Sequence, residues 1–220
     1  MKIRAIITGA TGMVGEGVLL ECLQNNNVEQ VLALGRKSCS YTNPKLKEIV
    51  HANLYDLSSV ENELHNYNAC YFCLGTTSIG KNEEEYTKIS YTLTMHIAST
   101  LSKLNPGMTF CYVSGAATDS TEKGRSMWAR VKGKTENDLM KLPFRQVFNF
   151  RPGFMKPTAG QKNALSFYKY VNWLYPVLRF AFPNFVTTLQ EVALAMINCT
   201  LNGYEKKILE VKDIVALSKN

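Results

Sequence analysis

The chain has 220 residues, of which 45% are hydrophobic and 20% charged, and it carries a formal net charge of +7. This length suits one sizeable core, and the composition excludes a disordered or collagen-like chain. The 25 Lys and Arg residues are dispersed, with no basic stripe or block, which disfavours nucleic acid as a partner.

Taken in chain order, the elements begin with "IRAIIT", a short apolar run closed at once by glycine, which reads as a strand and not as a signal peptide. "MVGEGVLLECLQ" has helical spacing, "VLALG" is a second strand, and "EIVHA" follows after a loop. "SVENELHN" reads as helical, "ACYFCLG" as a buried strand, and Glu83 to Leu104 as a long helix. "MTFCYVSG" is the next strand, Ser126 to Met140 a helix, and "RQVFNFRPG" a further strand. Apolar strands separated by helix-length segments predict an α/β fold: a doubly wound parallel sheet of the Rossmann type, with right-handed crossovers. After Gly153 the alternation loosens into an aromatic stretch, a helix near Thr188 to Leu201 and a last strand, "KKILEV". We expect a single domain over 1–220, with a core over 1–157, and with a small substrate-facing cap and the last strand over 158–220.

The most apolar stretch, residues 166–190, is broken by Lys169, Pro176, Arg179 and Pro183. No uncharged run in it reaches the ~18 residues of a membrane span. The six cysteines (22, 39, 70, 73, 111 and 199) are scattered, which favours free thiols and a cytoplasmic location. Cys70 and Cys73 have C-x-x-C spacing, but in a strand residues three apart face opposite ways, so the pair reads as core. His51, His65 and His96 lack ligand spacing, and no metal is assigned.

"TGATGMVGEG" places Gly9, Gly12 and Gly15 directly after the first strand and at the opening of the first helix. Gly9 permits a tight turn, Gly12 lets backbone approach a pyrophosphate, and Gly15 lets helix pack on sheet. The anion would rest on the free N–H groups of the helix start, around Thr11, Met13 and Val14. Glu29 lies about 20 residues on, where an acidic residue grips the ribose in NAD sites. It stands at the start of the second strand, however, and so at the wrong end. The other end carries Arg36 and Lys37, a fork and a neighbour for a 2′-phosphate, so NADP(H) is favoured over NAD(H). The competing reading is an exposed pair of cations. In "DLSS", Asp56 and Leu57 would meet the adenine, or Asp56 would cap a helix. In "CLGTT", Leu74, Gly75, Thr76 and Thr77 would flank the nicotinamide half, or the threonines would only close a turn.

"TGATGMVG", "CLGTT", "YVSG", "RVKGKTE" and "FRPG", in this order, resemble the atypical short-chain dehydrogenase/reductases, in particular their TIP30/CC3-like branch, often labelled nucleoside-diphosphate-sugar epimerase-like. The resemblance covers residues 3–157 well and the remainder loosely. It implies a nicotinamide dinucleotide, a small-molecule substrate, and a catalytic trio of Ser114, Lys132 and a Tyr four residues before that Lys. A Tyr and a Lys at i and i+4 share a helix face. The ammonium lowers the phenol's pKa, and the serine orients the substrate oxygen.

Here the Tyr position holds Trp128, whose indole N–H cannot act as a general acid. Tyr86 and Tyr91 are stand-ins or ordinary helix residues, and Lys132 or a water could supply the proton. Trp128 could also stack on substrate or nicotinamide. Pro152, Gly153 and Phe154 end a strand at the same edge, Phe154 near the nicotinamide, whereas Arg151 reads equally as an ion-pair residue. The aromatics Phe167, Tyr168, Tyr170, Trp173 and Tyr175 favour helix packing or a homo-oligomer contact over an aromatic pocket. Three functions follow: an NADP(H)-dependent oxidoreductase, an NADP(H)-sensing binding protein, and a sugar-nucleotide epimerase. The missing Tyr weighs most against the last.

Overall fold

The inner strands of the central sheet are buried on both sides because helices cover both faces. A computed structural model describes residues 1–164 and 172–219. Its first half runs β1 (Ile3–Thr8), α1 (Met13–Gln24), β2 (Val28–Gly35), β3 (Leu46–Val50), β4 (Ala69–Phe72), α2 (Glu83–Thr87), α3 (Leu93–Leu104) and β5 (Thr109–Val113). The second half runs α4 (Met127–Leu139), β6 (Gln146–Arg151), β7 (Phe154–Lys156), α5 (Tyr175–Ala181), β8 (Val186–Thr188), α6 (Leu189–Asn202), β9 (Ile208–Glu210) and α7 (Val211–Leu217).

Seven strands form one sheet in the order β3-β2-β1-β4-β5-β6-β9, and each neighbouring pair is parallel. The order reverses between β1 and β4, which opens a crevice at the C-terminal strand ends there. The pleat divides the core in two. Ala69 and Tyr71 of β4 pack with α1, α6 and α7, while Cys70 and Phe72 pack with α3 and Leu139 of α4. Cys70 and Cys73 accordingly join opposite layers, as strand alternation predicts.

The sequence pattern departs from the fold in four places. "SVENEL" winds as a 3-10 helix over Ser58–Leu64. The long helix is interrupted by a π-helical segment, Lys88–Thr92, between α2 and α3. Helix α7, directly after β9, was not expected, and neither was the two-stranded parallel pair of β7 and β8. After residue 157, β9 joins the sheet as the expected last strand, and α6, which buries Val192, Ala193 and Met196 beside α1, also belongs to the sandwich. Helix α6 starts on a capping box in which Thr188 and Glu191 satisfy each other's end groups. Outside the sandwich remain the β7–β8 pair and α5. Among the described residues no helix is long and apolar enough to cross a membrane.

Candidate functional site

The crevice is lined first by backbone. Gly9 adopts φ +73°, and a Cβ there would sit 2.8 Å from the backbone of Cys73 and Leu74. A Cβ on Gly15 would sit 2.2 Å from the Gly9 carbonyl oxygen, so only glycine lets α1 approach the turn this closely. Gly12 differs. Its nearest neighbour is the same oxygen at 3.4 Å, and it is the N-cap of α1 with no side-chain cap. The first N–H groups of α1 therefore face the crevice without a capping side chain, the arrangement that suits an anion.

A groove of about 290 Å³ runs from Gly9, Thr11 and Gly12 past Arg36 and Lys37 to Leu74 and Gly75. A second hollow of about 310 Å³ shares Arg36, Leu54, Leu74 and Gly75 with it and adds Tyr55 and Thr76. Arg36 lines both, and its guanidinium makes no hydrogen bond or ion pair with a described residue. Together these residues fit a dinucleotide: open glycine backbone for the pyrophosphate and an unpaired cation at the β2 end.

Several predicted residues sit elsewhere. The Asp56 carboxylate accepts from Ser58 N (3.0 Å) and Ser58 Oγ (2.7 Å), so it caps the turn into the 3-10 helix. Those two bonds hold it below its usual pKa. Leu57 is buried in the core. Neither lines the groove; Leu54 and Tyr55 of the same loop do. Thr77 Oγ1 accepts from Ile79 N (3.2 Å), the turn-closing role. Val14 packs against the core, and the Met13 carbonyl accepts from Gln161 Nε2 (2.7 Å).

At the other end, α4 presents Lys132 to the tip of β5. Its Nζ donates to the carbonyls of Val113 (3.2 Å) and Ser114 (2.5 Å), and it lies 5.7 Å from the Tyr112 ring centre. Burial pulls the ammonium down to about 8, against the raising effect of Glu136. Ser114 is buried and its Oγ donates to the Phe150 carbonyl (3.0 Å). Trp128 sits one turn before Lys132, half-buried, and makes no hydrogen bond with a described residue. The two tyrosine stand-ins are committed elsewhere. Tyr86 is buried, and its burial raises its pKa. Tyr91 Oη donates to Asp138 (2.8 Å), and burial together with that carboxylate raises it as well.

Arg151 takes its structural reading: Nε and Nη2 grip Glu136 at 3.0 and 2.5 Å, with Glu136 fully buried. Pro152 accepts from Ala116 N (2.9 Å), which ties the ends of β5 and β6. A Cβ on Gly153 would sit 2.3 Å from the Phe185 carbonyl oxygen and 2.8 Å from its ring, and Phe154 N donates to that carbonyl. Phe185, unmarked in the sequence, thus flanks this edge. In the aromatic stretch, Tyr175 sits under Lys156 at 4.7 Å, but Trp173 is 76% and Phe180 90% exposed, against the helix-packing reading. Phe167, Tyr168 and Tyr170 lie outside the described residues.

The fold and groove define a dinucleotide-binding Rossmann protein of the short-chain dehydrogenase/reductase kind. Residues 5–126 match the NAD dependent epimerase/dehydratase family, and the chain belongs to it. It is 25% identical to Protein FMP52-1, mitochondrial, of Scheffersomyces stipitis over 98% of both chains. It is 26% identical to Protein HTATIP2 of Rattus norvegicus over 68% of this chain and 61% of that one. Among solved structures, a short chain dehydrogenase family protein from Francisella tularensis superposes with a TM-score of 0.63 at 17% identity, over 92% of this chain and 93% of that one. The Bordetella bronchiseptica enzyme WbmG in complex with NAD gives 0.70 at 12%, over 99% and 77%. The FMP52 relatives are mitochondrial by name, which overturns the cytoplasmic expectation drawn from scattered cysteines. Free thiols do not distinguish one reducing compartment from another.

Proposed function

We propose that the protein is an NADP(H)-dependent oxidoreductase acting on a carbonyl or alcohol, with Lys132 as its proton-bearing group. The observation that carries this reading is the Lys132 ammonium, clamped on the Val113 and Ser114 carbonyls at the C-terminal end of β5, next to β4 on the sheet edge that bears the groove, with its pKa drawn to about 8. An ammonium has three donors. Two are committed to those carbonyls, and the third is free for a ribose hydroxyl or a substrate oxygen. A group titrating near neutral pH is suited to acid–base work. Gly9, Gly12 and the α1 start would hold the pyrophosphate, Arg36 and Lys37 a 2′-phosphate, and Gly153 and Phe154 the nicotinamide side. The nicotinamide, when bound, supplies the hydride. Ser114 Oγ, already donating to Phe150, keeps its lone pairs and orients only a donor. Trp128 shapes the pocket as a flat apolar wall.

The second reading, an NADP(H)-binding sensor, is favoured by one observation: Trp128 occupies the position of the acid and carries no transferable proton. The test follows NADPH absorbance across aldehydes and ketones with the wild type, Trp128→Tyr and Lys132→Ala. We expect slow wild-type oxidation, none in Lys132→Ala, and a gain of ~10²–10⁴ in Trp128→Tyr. A silent wild type beside an active Trp128→Tyr would establish the sensor instead. The same proteins bind NADPH more tightly than NADH, and Arg36→Ala erases the preference. Equal affinities in the wild type would remove the 2′-phosphate assignment.

A further inference from the structure

Residues that follow β7 return to the glycine-loop end of the groove and fasten there. Gln161 Nε2 donates to the Met13 carbonyl (2.7 Å), and Lys162 N and Asn163 N each donate to the Glu16 carboxylate (2.7 Å). Tyr41 Oη donates to the same carboxylate (2.5 Å). Lys162 Nζ donates to the Ser40 carbonyl (2.9 Å) and stands 4.3 Å from the Tyr41 ring centre. Glu16 is 0% exposed, in the first turn of α1. Burial alone would raise its carboxyl, yet these hydrogen bonds hold it below the usual range. A single buried carboxylate therefore joins three segments: the α1 start, the loop after β2, and residues 161–163.

The loop after β2 is the one that carries Arg36 and Lys37. Its middle is fixed by Glu48, which accepts from Ser38 Oγ (2.9 Å) and Cys39 N (2.7 Å). Ser40 holds φ +57°, a conformation that a non-glycine residue keeps only when its surroundings impose it. The clasp on Ser40 and Tyr41 imposes it from the far side. An apolar side chain at position 16 could seal α1 against this loop without burying a charge. What the carboxylate adds is direction, since its oxygens accept from three donors at set angles.

We infer that Glu16 is a positioning residue for the dinucleotide: by clasping Tyr41 and residues 162 and 163 it fixes the loop that presents Arg36 and Lys37, and so sets the preference for a 2′-phosphorylated cofactor. This rests on the reading of Arg36 given above. The segment from Phe154 to Asn163 then links the end of β6 to the glycine-loop end of the groove within ten residues of chain.

The test measures dissociation constants of the full chain for NADPH and NADH by nicotinamide fluorescence, alongside thermal melting. The wild type, Glu16→Gln, Tyr41→Phe and Arg36→Ala are compared. In the wild type NADPH is favoured by about tenfold or more, as a guanidinium–phosphate contact gives. Glu16→Gln brings the two affinities together while NADH binding changes little, a split that a purely structural loss would not produce. Tyr41→Phe, which leaves the carboxylate in place, narrows the preference by about threefold, a fraction of a kcal/mol. A folded Glu16→Gln that keeps the wild-type ratio overturns the proposal. If Glu16→Gln does not fold, Tyr41→Phe decides: a narrowed ratio supports the clasp, an unchanged one overturns it. Equal wild-type affinities untouched by Arg36→Ala would instead sink the NADP(H) reading, and this inference with it.

Discussion

The two parts of the candidate site, the glycine-loop groove and the β5–β6 edge beyond it, are built from different materials. At the glycine end the ligand-facing atoms are backbone, and the requirement on the sequence is the absence of side chains at Gly9, Gly12 and Gly15. At the β5–β6 edge the proposed chemistry would depend on side chains, namely Lys132, Ser114 and the residue at 128. Backbone geometry is set by the fold and survives while the sheet survives. Side-chain chemistry can be changed at one position without disturbing the sandwich. A chain can therefore keep nearly all of a family's binding apparatus while its reaction is changed.

The largest effect that would sharpen this contrast is at Arg151. Its guanidinium holds the fully buried Glu136 of α4, bonds Ser120 Oγ and reaches Glu210 at 3.4 Å. Arg151→Met would leave the Glu136 carboxylate buried without its cation, at a cost of about 3–5 kcal/mol. Urea unfolding of the variant measures this, and an unfolded product is within the expected range. Helix α4, and Lys132 on it, would be released from β6. A cost below ~1 kcal/mol would mean that backbone and apolar packing hold this end as they hold the other.

How far each end could be read from the sequence follows from the same difference. The strand order and the glycine turn were legible because periodicity and glycine spacing are local signals, carried within β1-α1-β2 and its repeats. The placement of Trp128 and Lys132 one turn apart on α4 was legible because i, i+4 spacing is also local. For Asp56 the cap reading held over the adenine contact, and Leu57 lies in the core, because that choice depends on where the loop bends. The bend places Leu54 and Tyr55 in the groove. Glu16 gave no signal at all. An acidic residue in a first helical turn is ordinary, and its partners, Tyr41 and residues 161–163, are remote in sequence. Helix α7 was missed because "VKDIVAL" is short and follows a strand of only three residues, so its pattern merged with "KKILEV".

A medium effect tests the backbone end directly. Gly15→Ala puts a methyl within 2.2 Å of the Gly9 carbonyl oxygen, so α1 must retreat, at a cost of about 1–3 kcal/mol in thermal or urea unfolding. NADPH affinity falls with it. Gly12→Ala meets only the 3.4 Å contact and should change stability by less than about 1 kcal/mol. Its methyl nevertheless stands where a pyrophosphate would approach, so NADPH binding should weaken as much as in Gly15→Ala. If Gly12→Ala binds NADPH like the wild type, the anion is not held there, and the contrast between the two ends loses its first term.

The remaining test concerns Lys132 and pH. Burial lowers its ammonium from 10.5 to about 8 in the folded chain, while the unfolded chain keeps the ordinary value. Between those two values the unfolded state holds a proton that the folded state has released, so stability from this group rises with pH. The penalty for burying the charge is complete below about 8, is relieved as pH climbs, and is gone above 10.5. Melting of the wild type against Lys132→Met should therefore show the difference moving in the wild type's favour across that window. The two profiles should run parallel below it. Under the proposed function turnover should move in the opposite sense, because the ammonium that donates to Val113 and Ser114, and would donate to substrate, is depleted as pH passes 8. A side chain that carries the chemistry should thus leave a mark on both profiles, in opposite directions, whereas parallel melting curves at every pH would place Lys132 in water and remove its claim to the reaction.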